Sequence, residues 1–249
     1  EAGQTLARKL IGTQALALES GEIPQTDDAL REYCEALRNT LHDDKFDNNF
    51  KALTLSTPGT AEILQSLDQA DPIAAYLAGD WLSRAVGNRL RGDLLQRYHD
   101  LSDDGKFSPD AESAGRRALR NRCLSLLASG RDPVTAGLAT EQLGTATNMT
   151  DELAALVTLT KLGGKRVNTS MEKFYDKWKS NPLVIDKWFS VQGMRNHVEG
   201  VSAIKELTEH EVYEARNPNR VRALIGSFAM ANPNLFHAPD GSGYEFFTD

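Results

Sequence analysis

Apolar residues recur along most of this chain at intervals of three and four, the spacing that lines one face of an α-helix. Between 4 and 20 they are Leu6, Leu10, Ile11, Ala15 and Leu18, and the pattern stops before Gly21. A second helix is expected from a Thr26 cap through Leu41, with Asp27 and Asp28 in its favourable first turn. Ile63, Leu64 and Leu67 mark a helix begun at Thr57. A long one runs from Asp71 toward Tyr98, bent at Gly79 or Gly87. Leu119, Cys123, Leu126 and Leu127 mark one from Ser108 to near Gly130. Further helices are expected from Asp132 and Thr150, and over 169–180, 183–192, 198–210 and 218–231. Alternating apolar and polar residues, the strand signature, are scarce. The pattern predicts an all-α chain of about twelve helices joined by short loops. Neighbours are then antiparallel, and helix pairs either stack as an irregular superhelix or close into a bundle. There is no clean sequence repeat and no Gly/Ser-rich linker, so one domain over 1–249 is expected.

Proline placement sharpens the boundaries. Seven of the nine prolines follow Thr, Ser, Asp or Asn, at Pro58, Pro72, Pro109, Pro133, Pro182, Pro218 and Pro233. A short polar side chain accepts a bond from an orphan N–H at a helix start. Proline just inside loses nothing, because its missing N–H would have been an orphan anyway. The repeated pair therefore reads as repeated helix starts.

Composition narrows the function classes. Hydrophobic residues are 40% and charged residues 25%, ordinary for a globular protein. No apolar run approaches the roughly 20 residues of a membrane span. The net charge of −7 runs against a nucleic-acid backbone binder. Cys34 and Cys123 both fall in helical patterns and read as buried thiols of a reducing compartment, with a disulfide as the lesser alternative. The chain opens without Met and is helical within a few residues, so a piece of a longer protein is expected, or else a processed chain.

Several motifs carry possible chemistry. Asp43, Asp44 and Asp47 form a DDxxD pattern. On a helix these carboxylates would share a face and could hold magnesium against a diphosphate, though the second metal motif of such enzymes is missing. A solvated acidic turn between helices is the preferred reading. His210-Glu211-Val212-Tyr213-Glu214 is HExxE, with Glu214 where HExxH has its second zinc ligand. It falls at an expected helix end, and an exposed terminus is preferred. The five histidines lack metal-ligand spacing. Gly163-Gly164-Lys165 has too few glycines for a phosphate loop, and the segment from Asp240 to Gly243 reads as a turn before a helix.

Arg216, Arg220 and Arg222 surround the helix start at Asn217-Pro218. A helix N-terminus with guanidinium groups nearby suits a carboxylate. Val221, Leu224, Ile225 and Phe228 make that helix's core face. Arg222 lies on another stripe, with Gly226 and Ala229 leaving room beside it. Surface arginines paired with the chain's own acids are the alternative.

The stretch from Asn217 through Ala229, with Asn232-Pro233 and the block from Phe236 to Tyr244, closely resembles the C-terminal helical domain of bacterial aminopeptidase N. The stretches 186–189, 148–155 and 117–124 agree, as does the opening from Glu1 to Ala7. The resemblance runs in order from end to end. It implies an irregular superhelix of antiparallel helix pairs, similar to HEAT or armadillo repeats. It also implies a cytoplasmic parent enzyme, a zinc aminopeptidase that removes N-terminal residues from peptides. The zinc would sit in a preceding catalytic domain of the same polypeptide, with HExxH and GxMEN motifs that are absent here, so this chain carries no catalytic residue and no metal ligand. Its partners would be that domain and a peptide substrate, with neither nucleic acid nor membrane. Its implied role is to close the active-site chamber and to gate or orient the substrate. Arg222 matches a family arginine that points into the chamber, and Asn219 and Arg220 join it as candidate substrate-binding residues. In the family more helices follow the Gly-Ser-Gly-Tyr block, so a truncated end is expected at Asp249. The alternative is a stand-alone α-solenoid scaffold that binds a protein partner.

Overall fold

A computed structural model describes residues 2–21, 27–67, 71–102 and 107–248. Among them every regular element is helical, as the apolar periodicity predicts. Contacts within the chain group into two compact units, Glu1–Thr158 and Leu159–Asp249.

The first unit holds α1 (Ala2–Ser20), α2 (Asp27–His42), α3 (Asn48–Thr54), α4 (Thr60–Ser66), α5 (Pro72–Arg89), α6 (Arg91–Asp100), α7 (Ala111–Ser129) and α8 (Thr135–Thr145). The helix α9 (Met149–Leu162) begins in it. The centre is α7, which packs against α3, α5, α6 and α8. It buries Leu119, Cys123, Leu124, Leu126 and Leu127, and α1 lies against α5 through Leu10, Ile11 and Ala15.

The second unit holds α10 (Lys165–Trp178), α11 (Pro182–Met194), α12 (Val201–Thr208), α13 (Pro218–Val221), a π-helical stretch (Arg222–Gly226), α14 (Ser227–Ala231), α15 (Pro233–Phe236) and α16 (Ser242–Thr248). Here α11 is central, packed against α10, α13, the π stretch and α14. Val167, Met171, Phe174, Ile185, Phe189, Leu224 and Phe228 form the core.

Four of the seven polar–Pro pairs start helices as expected. Asp71, Asn181, Asn217 and Asn232 each accept a backbone N–H from the first turn, with proline inside. The other three differ. Thr57 precedes an extended segment, and α4 starts three residues later from Gly59. The Ser108 hydroxyl donates to Asp110, and Asp110 is the cap of α7. Asp132 accepts from Val134 N–H and ion-pairs with Arg91, so it holds the turn ahead of α8. At α9 the capping acceptor is Asn148, through Asp151 N–H, rather than Thr150. The expected Thr26 cap lies outside the described residues, as do Glu1 and Asp249.

The chain breaks more often than the pattern predicts. The helix expected from Asp71 to Tyr98 ends at Arg89 and restarts at Arg91, beyond both glycines expected to bend it. The segment 218–231 is three helical stretches. The helix α3 is additional, and Asp47 caps it through Phe50 N–H at 2.8 Å.

Asn232 is the cap with the most to hold. It is 2% exposed. Its amide donates to the Gly193 carbonyl at 3.1 Å and to the Arg195 carbonyl at 2.8 Å, closing the end of α11. Its oxygen accepts Leu235 N–H. Asn232→Ala removes the cap and orphans two carbonyls, a loss of about 2–3 kcal/mol. Asn217→Ala removes one cap bond at a more open site, about 1 kcal/mol. Urea unfolding of both variants checks the ranking.

Both cysteines are free and buried. Burial pushes the Cys123 thiol up to about 12 and raises Cys34 as well. A raised thiol pKa keeps the unreactive protonated form. Native protein at pH 8 should therefore resist iodoacetamide at Cys123 and should modify rapidly in denaturant, as mass spectrometry would show.

Candidate functional site

The segment after α12 begins with Asn217, whose Oδ1 accepts Asn219 N–H at 3.0 Å, with Pro218 inside the turn. Helical geometry places residues two apart roughly 200° around the axis. Arg220 and Arg222 therefore point to opposite sides. Arg220 is 6% exposed, whereas Arg222, Asn219 and Arg216 are exposed.

Arg220 faces α11. Its Nε lies 3.1 Å from Asp186 Oδ1, and its guanidinium stands 5.0 Å above the Phe189 ring. Its N–H groups are not aimed at that oxygen, so the contact is an ion pair without an aligned hydrogen bond, and Nη1 has no partner among the described residues. Its charge is thus balanced by Asp186 and by an aromatic face.

Directly after it the backbone leaves the α pattern. Ser227 N–H reaches back five residues to the Arg222 carbonyl, the bond of a π-helix. Such bulges are uncommon and concentrate at functional sites. A close approach accompanies this one: a Cβ on Gly193 would lie 2.6 Å from the Leu224 carbonyl oxygen and 3.0 Å from Phe228 N. Glycine alone lets α11 meet the widened turn backbone to backbone. Arg222 stands at the first position of that turn, and among the described residues no carboxylate pairs with it.

An aromatic cluster lies on the other side of Phe189. Trp188 is 4.9 Å from Phe189 and 5.1 Å from Tyr175, and His210 is 5.1 Å from Tyr175. The His210 Nδ1 accepts Val212 N–H, and Glu211 accepts the Tyr175 hydroxyl at 3.0 Å. The HExxE residues thus belong to turns beyond α12, which ends at Thr208, and His210 and Glu214 share no helical face. A groove along Gln192, Arg195, Leu207 and His210 has lobes of about 300 and 400 Å³. At its edge the His197 ring lies 2.8 Å from the Gln192 carbonyl, and burial lowers the His197 pKa.

Asp43, Asp44 and Asp47 fall in the turn between α2 and α3, as the preferred reading expected. Asp43 accepts Lys45 N–H and Asp47 caps α3, so the three do not line a helix face. Asp240 accepts both the backbone N–H and the hydroxyl of Ser242, and these bonds lower its carboxyl pKa. Among the described residues no group of three His, Cys, Asp or Glu side chains could hold a metal ion.

The first unit has a cleft that the motifs did not reveal. It measures about 390 Å³ and lies between α6, α7, α8 and the start of α9. Tyr98, Arg117, Arg120, Gln142 and Asp151 line it. The stretch 117–124 contributed a resemblance, but nothing in its spacing shows that Tyr98 and Gln142 would meet it.

All residues from 1 to 249 match the model of a family described as a domain of unknown function (DUF3458_C) with ARM repeats, and the chain belongs to that family. It is the counterpart of the C-terminal helical domain of aminopeptidase N-like proteins. It is 41% identical to aminopeptidase N of Caulobacter vibrioides, an alignment that covers 100% of this chain and 28% of that protein. Aminopeptidase N of Escherichia coli K12 is 36% identical over 86% of this chain and 25% of that protein. A crystal structure of Legionella pneumophila aminopeptidase A in complex with aspartic acid is similar, with a TM-score of 0.82 at 25% identity. That match covers 96% of this chain and 29% of the other. The chain thus spans about a quarter of the length of its relatives.

Asp186→Asn should destabilise the second unit. It leaves the Arg220 charge buried and unbalanced. Removing one partner of a fully buried pair costs about 3–5 kcal/mol. Asp186 retains 21% side-chain exposure, so about 2 kcal/mol is expected. Urea denaturation measures it, and a change near zero would show that the pair contributes nothing.

Proposed function

We propose that this chain closes the substrate chamber of a zinc aminopeptidase, whose catalytic domain belongs to the same polypeptide. In this reading the zinc and the peptide-cleaving groups lie in that other domain, and the helical domain admits and orients the peptide. The relatives support it by name: proteins matched over 86–100% of this chain are aminopeptidases, and most of their length lies outside the match. Two buried free thiols accord with a reducing, cytoplasmic setting. No helix among the described residues is long and apolar enough to cross a membrane.

The observation that carries the site is the exposed Arg222 at the start of the π-helical turn, with its charge unpaired among the described residues and Asn219 exposed beside it. Arg222 attracts a carbonyl or the carboxyl-terminal end of a peptide, and Asn219 offers a neutral amide next to it. Arg220 contributes from beneath by holding the turn on Asp186 and Phe189.

Arg222→Ala in the complete enzyme separates substrate contact from structure. A hydrogen bond to a charged group is worth about 1.5–3 kcal/mol, so kcat/KM for tripeptides and longer should fall roughly ten- to a hundredfold. Turnover of a small aminoacyl-arylamide should hardly change, because it does not extend that far. Equal losses on both substrates would assign Arg222 a structural role.

A further inference from the structure

The cleft of the first unit holds a second arginine arrangement, independent of Arg222. Its floor is a closed polar network. Tyr98 OH donates to Gln142 Oε1 at 3.0 Å. The Gln142 amide donates to Asn121 Oδ1 at 2.8 Å and to the Asp151 carbonyl at 2.9 Å. Asn121 and Asn148 each donate to one carboxylate oxygen of Asp151, at 2.8 and 2.9 Å. Asp151 is thus held by two neutral amides and does not form an ion pair with Arg120.

Arg120 reaches over this floor. Its Nη2 donates to Tyr98 OH at 3.2 Å, and its guanidinium lies 4.5 Å from the Tyr98 ring centre. Its Nε is buried without a partner among the described residues. Three positions earlier on α7, the Arg117 guanidinium lies over the Phe107 ring, 4.8 Å from its centre. Each guanidinium lies over an aromatic ring, and neither has a carboxylate partner among the described residues. A cation–π contact places a guanidinium without using up its N–H donors, which leaves them for bidentate recognition of an anion.

We infer that this cleft binds a small monocarboxylate, the carboxylate lying against Arg120 and Arg117. Its volume of about 390 Å³ falls within the range of small-molecule sites. Glu141 and Asp151 also line it, which disfavours a doubly charged phosphate and leaves acceptors for an N–H of the ligand. A free N-acyl amino acid and the carboxyl terminus of a short peptide share this chemistry.

The test is calorimetric titration of the complete polypeptide in an Arg222→Ala background, so that contacts at the proposed chamber residue are not read. The probes are N-acetyl-alanine, N-acetyl-trialanine, its C-terminal amide and inorganic phosphate. Acetylation removes the free amine that an aminopeptidase would grip. The acids should bind saturably and the amide at least tenfold more weakly. Arg120→Gln and Arg117→Gln should each weaken the acids at least tenfold. Arg117 lies over the exposed Phe107 ring, outside the buried polar network that Arg120 joins through Tyr98, so its variant should keep the parental melting temperature if Arg120→Gln does not. Tighter binding of the tripeptide than of N-acetyl-alanine assigns a peptide end, and equal binding assigns a free acid. Equal binding of acid and amide, preference for phosphate, or parental affinity in Arg117→Gln would overturn the inference.

Discussion

A guanidinium only 6% exposed must have an anion beside it, and for Arg220 that anion is Asp186. The pair ties the short α13 to the middle of α11 at a fixed register. With Arg220 held inward, Asn217 caps the turn, the guanidinium lies over the Phe189 ring, and the residue two positions on must face out. The widened turn that follows is pressed onto Gly193, where no side chain could fit. The exposure of Arg222 thus follows from a contact made by its neighbour. Phe189 also meets Trp188, and through it the cluster with Tyr175 and His210.

Most of the all-α architecture was legible because apolar periodicity and helix starts are local signals. Asn181, Asn217 and Asn232 needed only their own first turns to act as caps. Where a better acceptor stood nearby, the local rule chose the wrong residue. Asp110 outcompetes Ser108 because a carboxylate two residues on reaches Ser113 N–H and also takes the serine hydroxyl. Asp132 has a tertiary commitment to Arg91, forty-one positions away, and no local pattern contains it. The break at Leu90 and the π-helical turn are likewise set by what packs against them.

The sites were less legible than the fold, for the same reason. The three arginines of 216–222 look alike in sequence, since two lie within a turn of one another. Only the position of Asp186, on another helix, separates the buried one from the exposed ones. His210 and Glu214 match a spacing that has meaning on a helix, yet α12 ends before them and the spacing loses its geometry. The cleft at Tyr98 was invisible because its floor joins Tyr98, Asn121, Gln142 and Asp151, residues from four helices.

The chain carries a net charge of −7, so acids are plentiful and an unpaired guanidinium is the exception to be explained. Arg220 is buried and balanced by an acid. Arg117 and Arg120 lie over aromatic rings, and Asp151 in the same cleft is already held by amides. Arg222 is exposed at an irregular turn that a neighbouring glycine helps to accommodate. In each case a specific neighbour settles the side chain's position. Where that neighbour is an acid, the charge is used up in holding the fold. Where it is a ring or a backbone, the charge remains available, and an anion from outside the chain is the partner it can still accept.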